Sequence, residues 1–335
     1  MKRVAINGFG RIGRCTLRAL MESNHRDQLQ IVAINELADA ETIRYLTSYD
    51  TTHGRFPGDV ALSNGALSID GHDIHLSQCP TVADLPWREH DVDVVLECTG
   101  AFSDRATASQ HLNAGAKKVL FSQPAERNVD ATIVYGLNEQ LLAPEMDIVS
   151  AASCTTNAVT PVIDCLHRAF GIESGMIRTL HAAMHDQPVI DAYHSSDLRK
   201  TRAAFESLIP VSTELALGVE RVLPDLQGRF AATAMRVPVS DVSAIDLSVY
   251  LAQPVTLQVL HEKLKEAAAQ YQGVLGYCEE PLVSCDFVHD PRSAVIDAAQ
   301  TTLAGDRLVK VLIWFDNEWG YANRMLDVAS KWFLV

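Results

Sequence analysis

Cys154 stands in a run of small and hydroxylic residues, Ala151, Ala152, Ser153, Thr155, Thr156 and Asn157, that follows an apolar strand at 146–149. His181 lies downstream. Two features predict a thiolate at Cys154: a helix N-terminus beneath the sulfur and an imidazole that can reach it. A thiolate at such a site attacks a carbonyl carbon, and the oxyanion formed would face the same backbone N–H groups. A second motif sits at the other end of the chain. Gly8, Gly10 and Gly13 follow an apolar strand at 2–7, open a helix running to about residue 21, and precede Glu36, 23 residues after Gly13. Strand, glycine turn, helix and acid in that order form a dinucleotide-binding signature. The glycines let the backbone approach a pyrophosphate, which sits at the helix N-terminus. Glu36 would accept hydrogen bonds from an adenosine ribose and repel a 2′-phosphate, so NAD is expected rather than NADP. Together the motifs predict oxidation of an aldehyde through a covalent thioester.

These residues need elements to position them. Short apolar runs at 2–7, 29–35, 92–98, 118–121, 132–135 and 147–149 alternate with stretches such as 105–114 that suit helices. Such alternation predicts an α/β fold with a Rossmann-type doubly wound parallel sheet over 1–150. After Cys154 the texture changes. A helix is expected over 154–169, then longer period-two strands at 175–182, 229–237 and 242–251, an amphipathic helix at 256–271 and a strand at 308–316. This pattern predicts an α+β catalytic domain over 151–318 with a mainly antiparallel sheet. Residues 186–206 are polar and poorly periodic, and read as a long functional loop. A helix at 319–335 is expected to pack back on the first domain.

At 335 residues the chain exceeds one ordinary core, so two domains are the default. Its 47% hydrophobic and 21% charged content describes a soluble globular protein. No apolar run approaches the roughly 18 residues that span a bilayer. The first residues lack the apolar region of a signal peptide, which predicts a cytoplasmic protein. The seven cysteines, Cys15, Cys79, Cys98, Cys154, Cys165, Cys278 and Cys285, are odd in number and contain no CxxC pair. Neither a disulfide framework nor a zinc site is indicated. His181 and His185, four apart, lie in a strand-to-loop setting without a third ligand, so no metal is expected. The net charge of −14 opposes nucleic acid and membrane as partners. An anionic substrate would therefore need a local arginine cluster.

Several motifs resemble the glyceraldehyde-3-phosphate dehydrogenase family: residues 7–14 (NGFGRIGR), 153–157 (SCTTN), 236–238 (RVP) and 316–321 (DNEWGY). The resemblance covers essentially the whole chain. Segments 33–39 (AINELAD), 181–187 (HAAMHDQ), 189–194 (VIDAYH) and 286–291 (DFVHDP) are similar to one branch of it, which oxidises erythrose 4-phosphate to 4-phosphoerythronate with NAD and water. That branch serves pyridoxal phosphate synthesis, and the family's enzymes are cytoplasmic homotetramers acting on small aldose phosphates. The resemblance implies that Cys154 is the nucleophile and His181 the residue that activates it. It implies that Ser153, Thr155, Arg199, Thr213 and Arg236 contact substrate and phosphate. It also implies that Arg11 and Ile12 belong to the cofactor loop, that Thr99 and Ser122 neighbour the cofactor, and that Asn317 fixes the nicotinamide amide.

The chain departs from phosphorylating relatives at several positions. Ala158 stands where many carry a second cysteine, Met184 and Asp186 where they carry threonines, and Glu214 where a glycine is frequent. An added carboxylate and lost hydroxyls weaken an inorganic phosphate site and favour hydrolysis. Pro80, seven residues before Trp87, replaces an arginine that the branch can use towards the cofactor. Two other functions stay open at this point: a phosphorylating glyceraldehyde-3-phosphate dehydrogenase, and a non-catalytic NAD-binding scaffold or nucleic-acid partner.

Overall fold

The structure, a computed structural model, describes residues 1–194 and 197–335. Residues 195 and 196, within the loop expected at 186–206, lie outside it. The chain forms two compact units, Met1–Ser153 together with Ala322–Val335, and Cys154–Tyr321.

The first unit is built on β1 (Lys2–Asn7), β2 (Leu29–Asn35), a two-residue pair β3 (Tyr49–Asp50) and β4 (Gly54–Arg55), β5 (Val60–Ser63), β6 (Ala66–Ile69), β7 (His72–Ser77), β8 (Val94–Glu97), β9 (Lys118–Phe121), β10 (Ala131–Thr132) and β11 (Ile148–Ser150). Nine of these form one sheet in the order β10-β11-β9-β8-β1-β2-β7-β6-β5. The strands from β10 to β7 are parallel, and β6 and β5 add an antiparallel edge. Val4, Ala5, Ile6, Val94, Val95 and Leu96 are all buried, the continuous apolar pattern of strands covered on both faces. Strand order reverses at β1, with β2 on one side and β8 on the other. Helices α1 (Arg11–Glu22), α2 (Ala40–Ser48) and α3 (Arg105–Asn113) connect these strands. Asp39 caps α2 by accepting from Thr42 N at 2.9 Å, and Asp104 caps α3 by accepting from Thr107 N at 2.7 Å.

One expected strand shortens. The run at 132–135 gives only β10, because Asn138 Oδ1 takes the Val134 N–H at 2.7 Å and a turn replaces the ladder. The three strands between Val60 and Ser77 were not read from the sequence at all.

The second unit opens with α4 (Cys154–Phe170) and continues through β12 (Ile172–His181), β13 (Ile209–Val211), α5 (Leu215–Val222), β14 (Phe230–Arg236), β15 (Ser243–Leu251), α6 (Leu257–Gln270), β16 (Leu275–Cys278), β17 (Ala294–Ala304) and β18 (Leu308–Phe315). Its sheet has the order β13-β14-β12-β15-β18-β17-β16. Pairing is antiparallel except between β12 and β14 and between β16 and β17. The expected combination of a parallel-rich sheet and a mainly antiparallel one is therefore what the chain forms. Burial alternates along β18, the period-two signature of a sheet with one face towards a core.

Helix α7 (Trp319–Trp332) ends the chain. From Ala322 it belongs to the first unit, where His25 Nε2 meets Asp327 Oδ1 at 2.8 Å and His25 Nδ1 meets Ser330 Oγ at 2.9 Å. Among the described residues no helix is long and apolar enough to cross a membrane.

Candidate active site

In the first unit, the residues expected at the cofactor lie at the carboxyl ends of parallel strands. Gly8 follows β1, Glu36 follows β2, Thr99 comes two residues after β8, and Ser122 follows β9. Ligands of open α/β sheets bind in the crevice at these ends, where strand order reverses. Sterics explain the glycines. Gly8 has φ +87°, and a Cβ there would lie 2.6 Å from Thr99 N. A Cβ on Gly13 would lie 2.4 Å from Gly8 O, so the helix approaches the turn closely only without one. A Cβ on Gly10 would meet nothing within 4 Å, so the space above it is open to a ligand. Gly10 is the N-cap of α1, and among the described residues no side chain caps it. The first turn carries no acid. An open glycine at an uncapped helix N-terminus fits the pyrophosphate of a dinucleotide.

Side chains brace this turn from behind. Glu36 Oε2 accepts from Phe9 N at 2.8 Å and Oε1 from Leu37 N at 2.7 Å. Arg11 pairs with Asp50, and despite burial this and the His53 and Thr52 amides hold the Asp50 carboxyl down at about 2. Ile12 is half-buried beside it. Glu97 is buried and accepts from Asn7 Nδ2 at 2.7 Å, from Thr99 N at 2.9 Å and from the Thr99 hydroxyl. Trp87 Nε1 donates to His111 Nδ1 at 2.9 Å, so the His111 proton is on Nε2, which faces Glu97 Oε2 at 3.0 Å. Asn7 Oδ1 in turn accepts from Asn35 Nδ2 at 2.8 Å. Sequence reasoning missed this network and Asp50. A signal existed for part of it, since Asn7 and Asn35 are polar residues closing apolar strands.

In the second unit, register assembles the site at one edge of the sheet. His181 ends β12 and lies beside Arg236 at the end of the parallel strand β14. Ser243 begins β15 opposite Phe315, and Asn317 follows two residues later. Cys154 is the first residue of α4, with Thr155 next to it and Ser153 before it. Ala152 enters this corner with φ +58°, the left-handed region that L residues adopt at a cost of about 1 kcal/mol.

Cys154 Sγ is 3.8 Å from His181 Nε2. On its other side the ring contacts Ala182 O through Nδ1 at 2.8 Å. A carbonyl only accepts, so the proton is on Nδ1 and the Nε2 lone pair faces the sulfur. Burial, reinforced by Arg236, lowers His181 to about 4. Burial also pushes the Cys154 thiol up to about 11, although the Thr155 amide, Arg236 and its own amide oppose this. The thiolate expected from the sequence is thus corrected. The helix N-terminus acts on the sulfur in the expected direction, but desolvation outweighs it and the pair rests as neutral thiol and neutral imidazole.

Arg236 is half-buried, and its buried Nε has no hydrogen-bond partner among the described residues. Desolvation lowers it, while Asp186 and Cys154 act to raise it. Asp186 is held low by Lys200, whose Nζ lies 2.7 Å from Asp186 Oδ2, with Arg236 contributing. His185 is exposed, whereas His181 is buried. Thr213 lies between β13 and α5, its Oγ1 accepting from Leu215 N at 3.2 Å. Arg199 sits exposed on the turn Leu198–Thr201, so Lys200, not read as a site residue, is the loop cation that reaches Asp186.

This arrangement can add a sulfur to a carbonyl carbon beside a half-buried cation. Residues 2–105 match the family described as glyceraldehyde 3-phosphate dehydrogenase, NAD binding domain, and residues 153–317 match its C-terminal domain. The cofactor is therefore NAD, and the protein is an NAD-dependent oxidoreductase acting on an aldehyde phosphate. The match to the N-terminal family falls on the glycine turn and that to the C-terminal family on the cysteine–histidine edge, and with both the chain belongs to the glyceraldehyde 3-phosphate dehydrogenase family.

Proposed function

We propose that this protein oxidises D-erythrose 4-phosphate to 4-phospho-D-erythronate with NAD and water, and that it acts as a cytoplasmic homotetramer supplying pyridoxal phosphate synthesis. The preference for the four-carbon substrate, the assembly, the location and the pathway rest on the sequence resemblance. The observation that carries the hydrolytic outcome is the Asp186 carboxylate, bonded to Lys200 and facing Arg236. A carboxylate that interacts with Arg236 opposes the binding of an inorganic phosphate at that cation.

In this reading the neutral pair works by general-base catalysis. Cys154 attacks C1 of the aldehyde while its proton passes to His181 Nε2. The oxyanion accepts hydrogen bonds from the imidazolium and from the Cys154 backbone N–H. NAD, when bound, supplies the hydride acceptor that turns the hemithioacetal on Cys154 into a thioester. His181 loses its proton to solvent and then takes one from water, which attacks the thioester carbonyl and frees the Cys154 sulfur. Arg236, with Arg199, Ser153, Thr155 and Thr213, holds the substrate and its phosphate. Gly8, Gly10, Arg11, Ile12, Gly13, Glu36, Thr99, Ser122 and Asn317 hold the cofactor.

The test is NADH formation from erythrose 4-phosphate or glyceraldehyde 3-phosphate, each with and without inorganic phosphate. Faster turnover of the four-carbon substrate with no phosphate requirement is expected. A strict phosphate requirement with the three-carbon substrate would make this a phosphorylating enzyme and overturn the role given to Asp186.

A further inference from the structure

Ser243 takes no part in the mechanism above, yet three functional segments meet at its hydroxyl. It is 1% exposed and opens β15 at the sheet edge where His181 ends β12. Ala182 N donates to Ser243 Oγ at 3.0 Å, and Ser243 Oγ donates to Asn317 Oδ1 at 2.6 Å. The direction of the second bond follows from its length and agrees with the inventory of donors. The hydroxyl oxygen already accepts from an amide that can only donate, which leaves its single hydrogen to give away. A separation of 2.6 Å is also usual for O–H···O and short for N–H···O. Asn317 therefore turns its carbonyl oxygen inward and keeps its NH2 as the group presented outward.

The same residue is tied to the histidine. His181 Nδ1 donates to Ala182 O, and Ala182 N donates to Ser243, so one chain of hydrogen bonds runs from the imidazole to the Asn317 amide. The backbone is strained at its centre. Val242, buried just before Ser243, has φ +62°, a conformation that β-branched residues rarely adopt. Strain of this kind persists where the surrounding structure over-determines it.

We propose that Ser243 is a positioning residue for the cofactor: it locks the Asn317 amide in the orientation that offers an N–H donor to the carbonyl of the nicotinamide carboxamide. This rests on the reading that Asn317 holds that carboxamide. Without the hydroxyl the amide rotates between two orientations, one of which sets its oxygen against the cofactor's.

The experiment is calorimetric measurement of Kd for NAD and for its thionicotinamide analogue, whose sulfur is a weak acceptor, on the parent protein, Ser243→Ala and Asn317→Ala. The parent protein is expected to bind NAD more tightly than the analogue. In Ser243→Ala that preference should fall about three- to tenfold, through weaker binding of NAD alone. A merely structural role for Ser243 would weaken both ligands equally, and that result, or an unchanged ratio, overturns the proposal. If Asn317→Ala loses the preference while Ser243→Ala keeps it, only the positioning role fails. If Asn317→Ala keeps the preference, or the parent has none, the assignment of Asn317 itself fails and the proposal with it. Should Ser243→Ala not fold, Ser243→Cys, of similar size and a weaker donor, carries the same comparison and is expected to lower the preference to a smaller extent.

Discussion

The glycine turn after β1 and the sheet edge at His181 solve opposite problems. At the turn the site is backbone, and what matters is the absence of side chains: Gly8 and Gly13 are required by neighbours within 2.6 Å, and Gly10 by nothing in the protein itself. At the sheet edge the site is made of side chains carried by different elements, Cys154 by a helix and His181 and Arg236 by neighbouring strands. Cys154 and His181 meet at 3.8 Å only because α4 and β12 are fixed independently. A site made of backbone is written in local sequence. A site made of side chains depends on how distant segments pair.

The contrast is broken most strongly at Cys154. Cys154→Ala should lower kcat by at least about 10⁴-fold while leaving the NAD Kd unchanged, measured by NADH formation and by calorimetry. Loss of both would mean that the sheet edge is not separable from the cofactor turn.

His181→Asn comes next, with an expected fall in kcat of about 10²- to 10⁴-fold. The same variant tests the burial of a neutral imidazole. The folded-state value of about 4 lies below the ordinary 6.5, so between those pH values the unfolded chain binds a proton that the folded chain does not. Stability should therefore fall as pH drops from 6.5 to 4, by about 3 kcal/mol in total, and His181→Asn should remove that dependence. Urea titrations of both proteins across this range decide it; parallel curves would refute the buried neutral state.

The glycine turn can be divided against itself. Gly8→Ala places a Cβ against the Thr99 backbone at an unfavourable φ and should cost about 3 kcal/mol of stability. Gly10→Ala meets open space and should change stability by less than about 0.5 kcal/mol while weakening NAD. Equal loss of stability in the two would show that the open space is not reserved for a ligand.

A second pH-dependent effect concerns Asp241, whose carboxyl burial and Asp316 push up to about 8. Its folded value lies above the ordinary carboxylate range, so stability is lost as pH rises towards 8. Asp241→Asn should be the more stable protein at pH 8 and lose that advantage towards pH 4, as thermal unfolding at the two pH values would show.

Much of this was legible in advance, for local reasons. The strand–glycine–helix run at 2–21 and the helix beginning at Cys154 depend on hydrophobic period and on residues close in sequence. The short strands between Val60 and Ser77 were not legible, because alternation over four to six residues carries little signal. Nor was the Glu97–His111–Trp87 network, whose members come from separate elements.

The sequence by itself determined which residue types were at hand: a cysteine before a helix, a histidine ending a strand, glycines where no Cβ fits, an asparagine before the last helix. Tertiary structure decided their states. Burial turned the expected thiolate into a thiol held up at about 11, because desolvation by surrounding atoms outweighs the amides of one helix turn. Pairing of β12, β15 and β18 set Ser243 between His181 and Asn317, a relation between residues 181, 243 and 317 that no local pattern encodes.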